Sequence, residues 1–179
     1  MADDEVTTEA DAAARESEHK DRLHGVPVTG PIGERTLHPD RAGLVELVTD
    51  LAEDGYRMCL DVTGVDYLTH PGRELPEGIA PERFEVVVHL IDHERRERLR
   101  IRVQVPEDDP TVPSIVGVHA GAEAPERETY DLYGITFTDH PDLTRILMPE
   151  DWDGHPLRKD EGVGAIPVQF KQAGREVRS

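Results

Sequence analysis

Two runs of sequence restrict this chain more than any others. FEVVVHLI, from Phe84 to Ile91, and LRIRVQV, from Leu99 to Val105, are separated by the charged turn DHERRER. In the second run Leu99, Ile101, Val103 and Val105 fall on one side, while Arg98, Arg100, Arg102 and Gln104 fall on the other. Successive side chains of a strand point to opposite faces, so this period predicts a β-hairpin with one face in a core. The arginine row faces either solvent or an acidic neighbour. His89 reads as a hydrogen-bonded sheet residue, because no second histidine stands at ligand spacing.

Upstream, PDRAGLVELVTDLAEDG places Leu44, Leu47, Val48 and Leu51 at the i, i+3, i+4, i+7 spacing of one helical face, with Asp40 as N-cap and Gly55 as stop. The following YRMCLDVTGVDYL predicts a strand with Met58, Leu60 and Val62 facing the core. Cys59 is read as a small packed thiol. After the hairpin, Ile115, Val116 and His119 suggest a short helix, and Pro125, Glu126 and Glu128 open a second one that Gly134 ends. ITFTDH, from Ile135, reads as a short strand; beyond Asp139 the sequence is loop-like. Residues 1–36 are expected to be a disordered acidic tail and linker, the linker being the Gly- and Pro-bearing LHGVPVTGPIGERTLHP. The fold class expected is α+β: a mixed β-sheet containing the hairpin, helices packed on one face, a core from 37 to 140 and an extended arm from 141 to 179.

Charge narrows the partners. With 38 Asp plus Glu against 20 Lys plus Arg, the net charge is −18, which repels phosphate backbones and anionic headgroups. The lone Cys59 excludes an internal disulfide and any cluster or zinc site held by several thiolates, and fits a reduced intracellular compartment. No run approaches the roughly 18 apolar residues of a membrane span. Neither GxGxxG nor GxxxxGK[ST] is present, so nucleotide binding is not indicated. His140 and His155, each followed by proline, could form a metal site with Asp139, Asp142 or Asp153, which would make a stand-alone metal-dependent hydrolase. Between Glu126 and Asp160, however, arginines and carboxylates are interleaved with Leu143, Ile146, Leu147, Met148 and Trp152. Apolar anchors mixed with arginine are the composition of a protein contact.

That same segment, ERETYDLYGITFTDHPDLTRILMPEDWDGHPLRKD, resembles the signature of the hydrophilic-arm C subunit of the proton-pumping NADH:quinone oxidoreductase, respiratory complex I. The shared pattern is ERE, a D-[LM]-[FY]-G turn, F-x-x-HPDL, R-I-L and GHPLRKD. The chain departs from it at Ala124 and Pro125, where an aromatic residue is common, at Thr144, where arginine is common, and after Asp160. The resemblance implies a non-redox structural subunit of the hydrophilic arm, peripheral to the cell membrane on its cytoplasmic side. It further implies that this chain binds no cofactor, FMN and the iron–sulfur clusters residing in partner subunits. The partners it implies are the quinone-pocket subunit and the terminal-cluster subunit. No residue is given a catalytic role. Glu126, Arg127, Asp131, Gly134, His140, Pro141, Arg145, Pro156, Leu157, Arg158, Lys159 and Asp160 become interface or loop-fixing residues, the arginines through bidentate pairing with carboxylates. The equivalent subunit of a related membrane-bound hydrogenase or other quinone-linked complex is the alternative within the superfamily.

Overall fold

The computed structural model describes residues 22–30 and 34–162. Six strands form one mixed sheet: β1 (Arg22–Leu23), β2 (Val26–Thr29), β3 (Glu34–Leu37), β4 (Met58–Asp66), β5 (Phe84–Asp92) and β6 (Glu97–Val105), in the order β1-β2-β3-β6-β5-β4. Within it only the β3–β6 pairing is parallel. Helix α1 (Leu44–Glu53) lies between β3 and β4 in the chain, and α2 (Glu123–Tyr133) between the two strands of a small parallel sheet, β7 (Thr111–Pro113) and β8 (Thr136–Thr138).

The hairpin forms as its period requires. Leu90 sits opposite Leu99, Val88 opposite Ile101, Val86 opposite Val103 and Phe84 opposite Val105, and all eight are fully buried or within 1% of it. Each such side chain stabilises the fold by roughly 1.5–3 kcal/mol relative to exposure. Helix α1 adds Leu44, Leu47, Val48 and Leu51 to the same core. Asp40 is not the residue that caps it; its Oδ1 accepts from the Gly43 amide at 2.7 Å and closes the turn just ahead of the helix. Gly55, at φ +110°, stops it as expected.

Three further readings need correction. The stretch expected to be an irregular linker supplies β1, β2 and the start of β3: Gly25 and Gly30 adopt positive φ at turns between short strands, and Leu23, Val26 and Val28 pack against the core. Met58 and Leu60, expected beside Val62 on the core face, are 48% and 43% exposed. A bulge between Cys59 and Asp61 shifts the register, so Cys59 faces Leu90 and Val62 faces Val88. Burial pushes the Cys59 thiol up to about 11, as befits a packed thiol rather than a nucleophile. The helix suggested from Ile115 is a single turn leading into a 3-10 helix at Ala120–Ala122; Gly117 and Gly121 fall inside it. The expected tail at 1–21 and the arm beyond 162 lie outside the described residues.

Helix α2 runs against β4, where Thr129 Oγ1 donates to the Val62 carbonyl at 3.2 Å. The approach depends on Gly64, since a Cβ there would stand 2.7 Å from Tyr133 Cδ2 and 3.1 Å from Thr129 Cγ2. Gly64→Val is therefore expected to destabilise the domain by about 1–3 kcal/mol, despite the β-propensity of valine. The urea midpoint measures this, and an unchanged midpoint would mean the helix does not depend on that contact.

Candidate functional site

From Pro141 to Asp160 the chain has no helix or strand, so its backbone amides need partners from elsewhere. Asp131, on α2 and fully buried, takes three consecutive ones. Its Oδ2 accepts from the amides of Ile146, Leu147 and Met148 at 3.1, 2.8 and 2.8 Å, while Oδ1 accepts from Arg145 Nη1 at 2.6 Å. Arg145 then spans to the Gly154 carbonyl at 3.1 Å. The Asp131 carbonyl accepts from His155 Nδ1 at 3.0 Å, which places that ring's proton on Nδ1. Burial alone would raise the Asp131 carboxyl; the three amides and Arg145 outweigh it and hold the group below the usual carboxylate range.

A second buried carboxylate, Asp66 at the end of β4, fixes the far end of the segment. Arg83 donates to it bidentately, Nε to Oδ1 at 3.2 Å and Nη2 to Oδ2 at 3.0 Å, and the Lys159 amide donates to Oδ2 at 2.8 Å. Burial again opposes ionisation, and Arg83 with the Lys159 and Leu68 amides reverses its effect, leaving the Asp66 carboxyl below its ordinary range. Asp160 reaches the same guanidinium at 2.6 Å, and the Arg83 guanidinium lies 4.7 Å from the centre of the Phe84 ring. Arg158 covers that ring at 5.1 Å and donates Nε to the Tyr133 carbonyl at 2.6 Å.

Most of the remaining signature residues are also engaged within the chain. Glu126, fully buried, accepts from the Ile115 amide at 2.8 Å and from Ser114 Oγ at 2.6 Å, and burial raises its pKa. Arg127 holds Thr144 through its carbonyl at 3.1 Å and its hydroxyl at 2.9 Å. His140 Nδ1 accepts from the Asp142 amide at 3.0 Å, so its Nε2 donates to the Glu123 carbonyl at 3.1 Å. Gly134 takes φ +71°, and a Cβ on it would meet His155 Nε2 at 2.5 Å and Arg158 Nη2 at 2.6 Å. The Leu157 amide donates to the Leu132 carbonyl at 3.1 Å, Pro156 is half-buried and Pro141 exposed. Among the described residues Arg127, Arg145 and Arg158 make no bidentate pair with a carboxylate and bond mainly to carbonyls, whereas Arg83 pairs bidentately with Asp66.

Neither Asp66 nor Arg83 belongs to the sequence motifs, although a signal for the first exists. Asp66 continues the phase of Val62 and Gly64, and a carboxylate on a core face requires a cation and donors. Among the described residues no three His, Cys, Asp or Glu side chains are grouped to hold a metal, and both histidines of the hydrolase reading are occupied with backbone carbonyls. What the segment leaves outside is apolar: Ile146, Leu147 and Leu157 are 40%, 54% and 44% exposed. Around them Asp142, Glu150, Asp151 and Asp153 are exposed and form no ion pair among the described residues.

This geometry defines an α+β domain whose buried carboxylates hold a long loop in place rather than line a reaction cleft. Residues 37–165 match the family of the respiratory-chain NADH dehydrogenase 30 Kd subunit, and the chain belongs to that family. It is 46% identical over 161 residues to the C subunit of the NADH-quinone oxidoreductase of Saccharopolyspora erythraea, covering 85% of this chain and 61% of that one. To the corresponding protein of a Roseiflexus species it is 47% identical over 135 residues, covering 75% and 72%. The chain thus spans about three fifths of the Saccharopolyspora relative's length. Among solved structures, a trypsin-resistant fragment of Nqo5 aligns with TM-score 0.59 and 32% identity over 76% of this chain and all of the fragment. A chain of an archaeal respiratory membrane complex, the membrane-bound sulfane sulfur reductase, shares the fold with TM-score 0.67 at 17% identity, over 88% of each chain. No helix among the described residues is long and apolar enough to cross a membrane.

Asp131→Asn removes the charge that faces Arg145 and is expected to destabilise the domain by about 3 kcal/mol. A urea midpoint within error of the parent would show that the carboxylate does not hold the loop. The two buried acids have opposite pH signatures. Asp131, lowered on folding, contributes stability above its unfolded value of about 3.9, and that contribution is lost as pH falls through the folded value. Glu126, raised on folding, makes stability fall as pH rises from about 4.3 through its folded value. Glu126→Gln keeps the bond from the Ile115 amide and reverses the other, its Nε2 donating to Ser114 Oγ, and is expected to be more stable than the parent near neutral pH, with the gap closing on acidification. Urea midpoints from about pH 4.5 to about pH 8 test this; a gap that widens on acidification contradicts it.

Proposed function

We propose that this chain is a non-redox, structural subunit of a proton-translocating NADH:quinone oxidoreductase. Its family and the similarity to C subunits of such enzymes support that reading. The observation that carries it is the loop 141–160: pinned by Asp131 and Asp66, it presents Ile146, Leu147 and Leu157 outward in one fixed conformation. A preformed surface loses little conformational entropy on association, which suits a permanent contact between subunits. In this reading the loop docks on the subunits that hold the terminal iron–sulfur cluster and form the quinone pocket. FMN and the clusters reside in those and other partner subunits, the isolated chain is not catalytic, and the assembly sits peripherally on the cytoplasmic side of the cell membrane. Glu126, Asp131, Gly134, Arg145 and Arg158 act by shaping the loop, and Leu157 by direct contact.

Gentle-detergent purification of the tagged chain from its own membranes tests this, with mass spectrometry of the co-purified proteins and an NADH:quinone assay on the eluate. Cluster- and quinone-binding subunits with NADH-dependent activity are expected. The chain alone in the soluble fraction, without quinone reduction, would overturn the reading. Leu147→Asp is expected to reduce recovery of those subunits more than tenfold, as loss of an interface anchor does, with the melting temperature unchanged because the side chain is exposed.

A further inference from the structure

Beside the loop, a notch opens between β4 and α2. It is a cavity of about 140 Å3 with Leu132, Tyr133 and Leu157 as its apolar lining and Asp61 and Glu128 among its walls. That is below the roughly 300 Å3 at which pockets begin to take a free small ligand, so the notch suits a single side chain. Asp61 comes from β4 and Glu128 from α2, both are exposed, and neither forms an ion pair among the described residues. Two like charges from separate elements thus meet one recess whose lining is more polar than apolar, with Thr63 and Thr129 beside Leu132, Tyr133 and Leu157. The Tyr133 phenol in its wall is pushed up by burial first, then by Asp66 and Glu128.

We propose, resting on the reading above, that this notch receives a basic side chain, arginine or lysine, from the protein that docks on loop 141–160. Leu157 belongs to both surfaces: it lines the notch, and its amide is held by the Leu132 carbonyl at 3.1 Å, one turn of α2 beyond Glu128. A partner seated on Ile146, Leu147 and Leu157 therefore extends directly over the recess. The hydrocarbon stem of an arginine or lysine packs against Leu157 and the Tyr133 ring while its charged head meets Asp61 and Glu128. An acidic partner residue is repelled, and an uncharged one leaves both carboxylates desolvated without a counter-charge.

The test places a photo-crosslinking amino acid at Leu157 in the chain expressed in its own cells. The purified complex is irradiated and cleaved with a protease that does not cut at basic residues, and the joined peptide is sequenced by mass spectrometry. The expected crosslink is to another subunit at a position beside an Arg or Lys. In parallel, Asp61→Lys with Glu128→Lys is expected to lower recovery of partner subunits more than tenfold without changing the melting temperature, while Glu46→Lys on the exposed side of α1 leaves recovery unchanged. A crosslink to a peptide without Arg or Lys at that position, a crosslink to Lys171, Arg175 or Arg178 of the same chain, or undiminished recovery of the doubly reversed chain would overturn the notch proposal. If the parent still recovers its partners in those cases, the reading as a structural subunit stands; if the parent recovers none, both fall.

Discussion

The structure depends most on one buried carboxylate. Three consecutive amides turned the same way, as at Ile146, Leu147 and Met148, form a concave nest that water or an anion must fill. Asp131 fills it from α2, and Arg145 neutralises the charge that results. An irregular segment without this interaction would present the same apolar side chains in many conformations, and a partner would have to order them. With it, helix and loop form one unit. Asp66 repeats the device at the other end, taking the Lys159 amide while Arg83 supplies the counter-charge. The loop is thus fastened at two points on two different elements.

These fastenings explain how an acidic chain can place carboxylates in its interior. Asp66, Asp131 and Glu126 are buried, yet the first two are ionised because amides and guanidinium groups replace their hydration. Glu126 has only a hydroxyl and one amide, so burial prevails and its pKa rises. The distinction lies in the number and charge of the donors set against depth, which is greatest at Glu126. Asp142, Glu150, Asp151 and Asp153 have no such partners within the described chain, and together with Ile146, Leu147 and Leu157 they make a surface whose complement is apolar and basic.

The sheet shows the same economy on its outer face. The arginine row of β6 is not wholly solvated: Arg102 and Gln104 meet the buried Glu85 at 2.7 and 2.6 Å, Arg100 meets His89 at 3.0 Å, and Arg98 remains exposed. Glu85 lies in the first strand of the hairpin, one residue after Phe84, so the charge that answers the row is carried by the neighbouring strand itself.

The hairpin, the apolar stripe of α1 and the stop at Gly134 were legible in the sequence, because each follows from local period or backbone preference. The short strands β1 to β3 were not, since two to four residues show no period and become strands only by pairing, β3 with β6, β2 with β3 and β1 with β2. Nor was the bulge in β4, which a strict alternation of Met58, Leu60 and Val62 conceals. The sequence could say that Asp131 and the arginines belong to a signature. Only the tertiary structure decided that Asp131 takes the amides fifteen or more residues away, that Arg83 and not Arg158 makes the bidentate pair, and that Ile146 and Leu147 point outward. Periodicity is a property of neighbours along the chain, whereas a buried charge selects its partners from whatever donors the folded chain brings within about 3 Å.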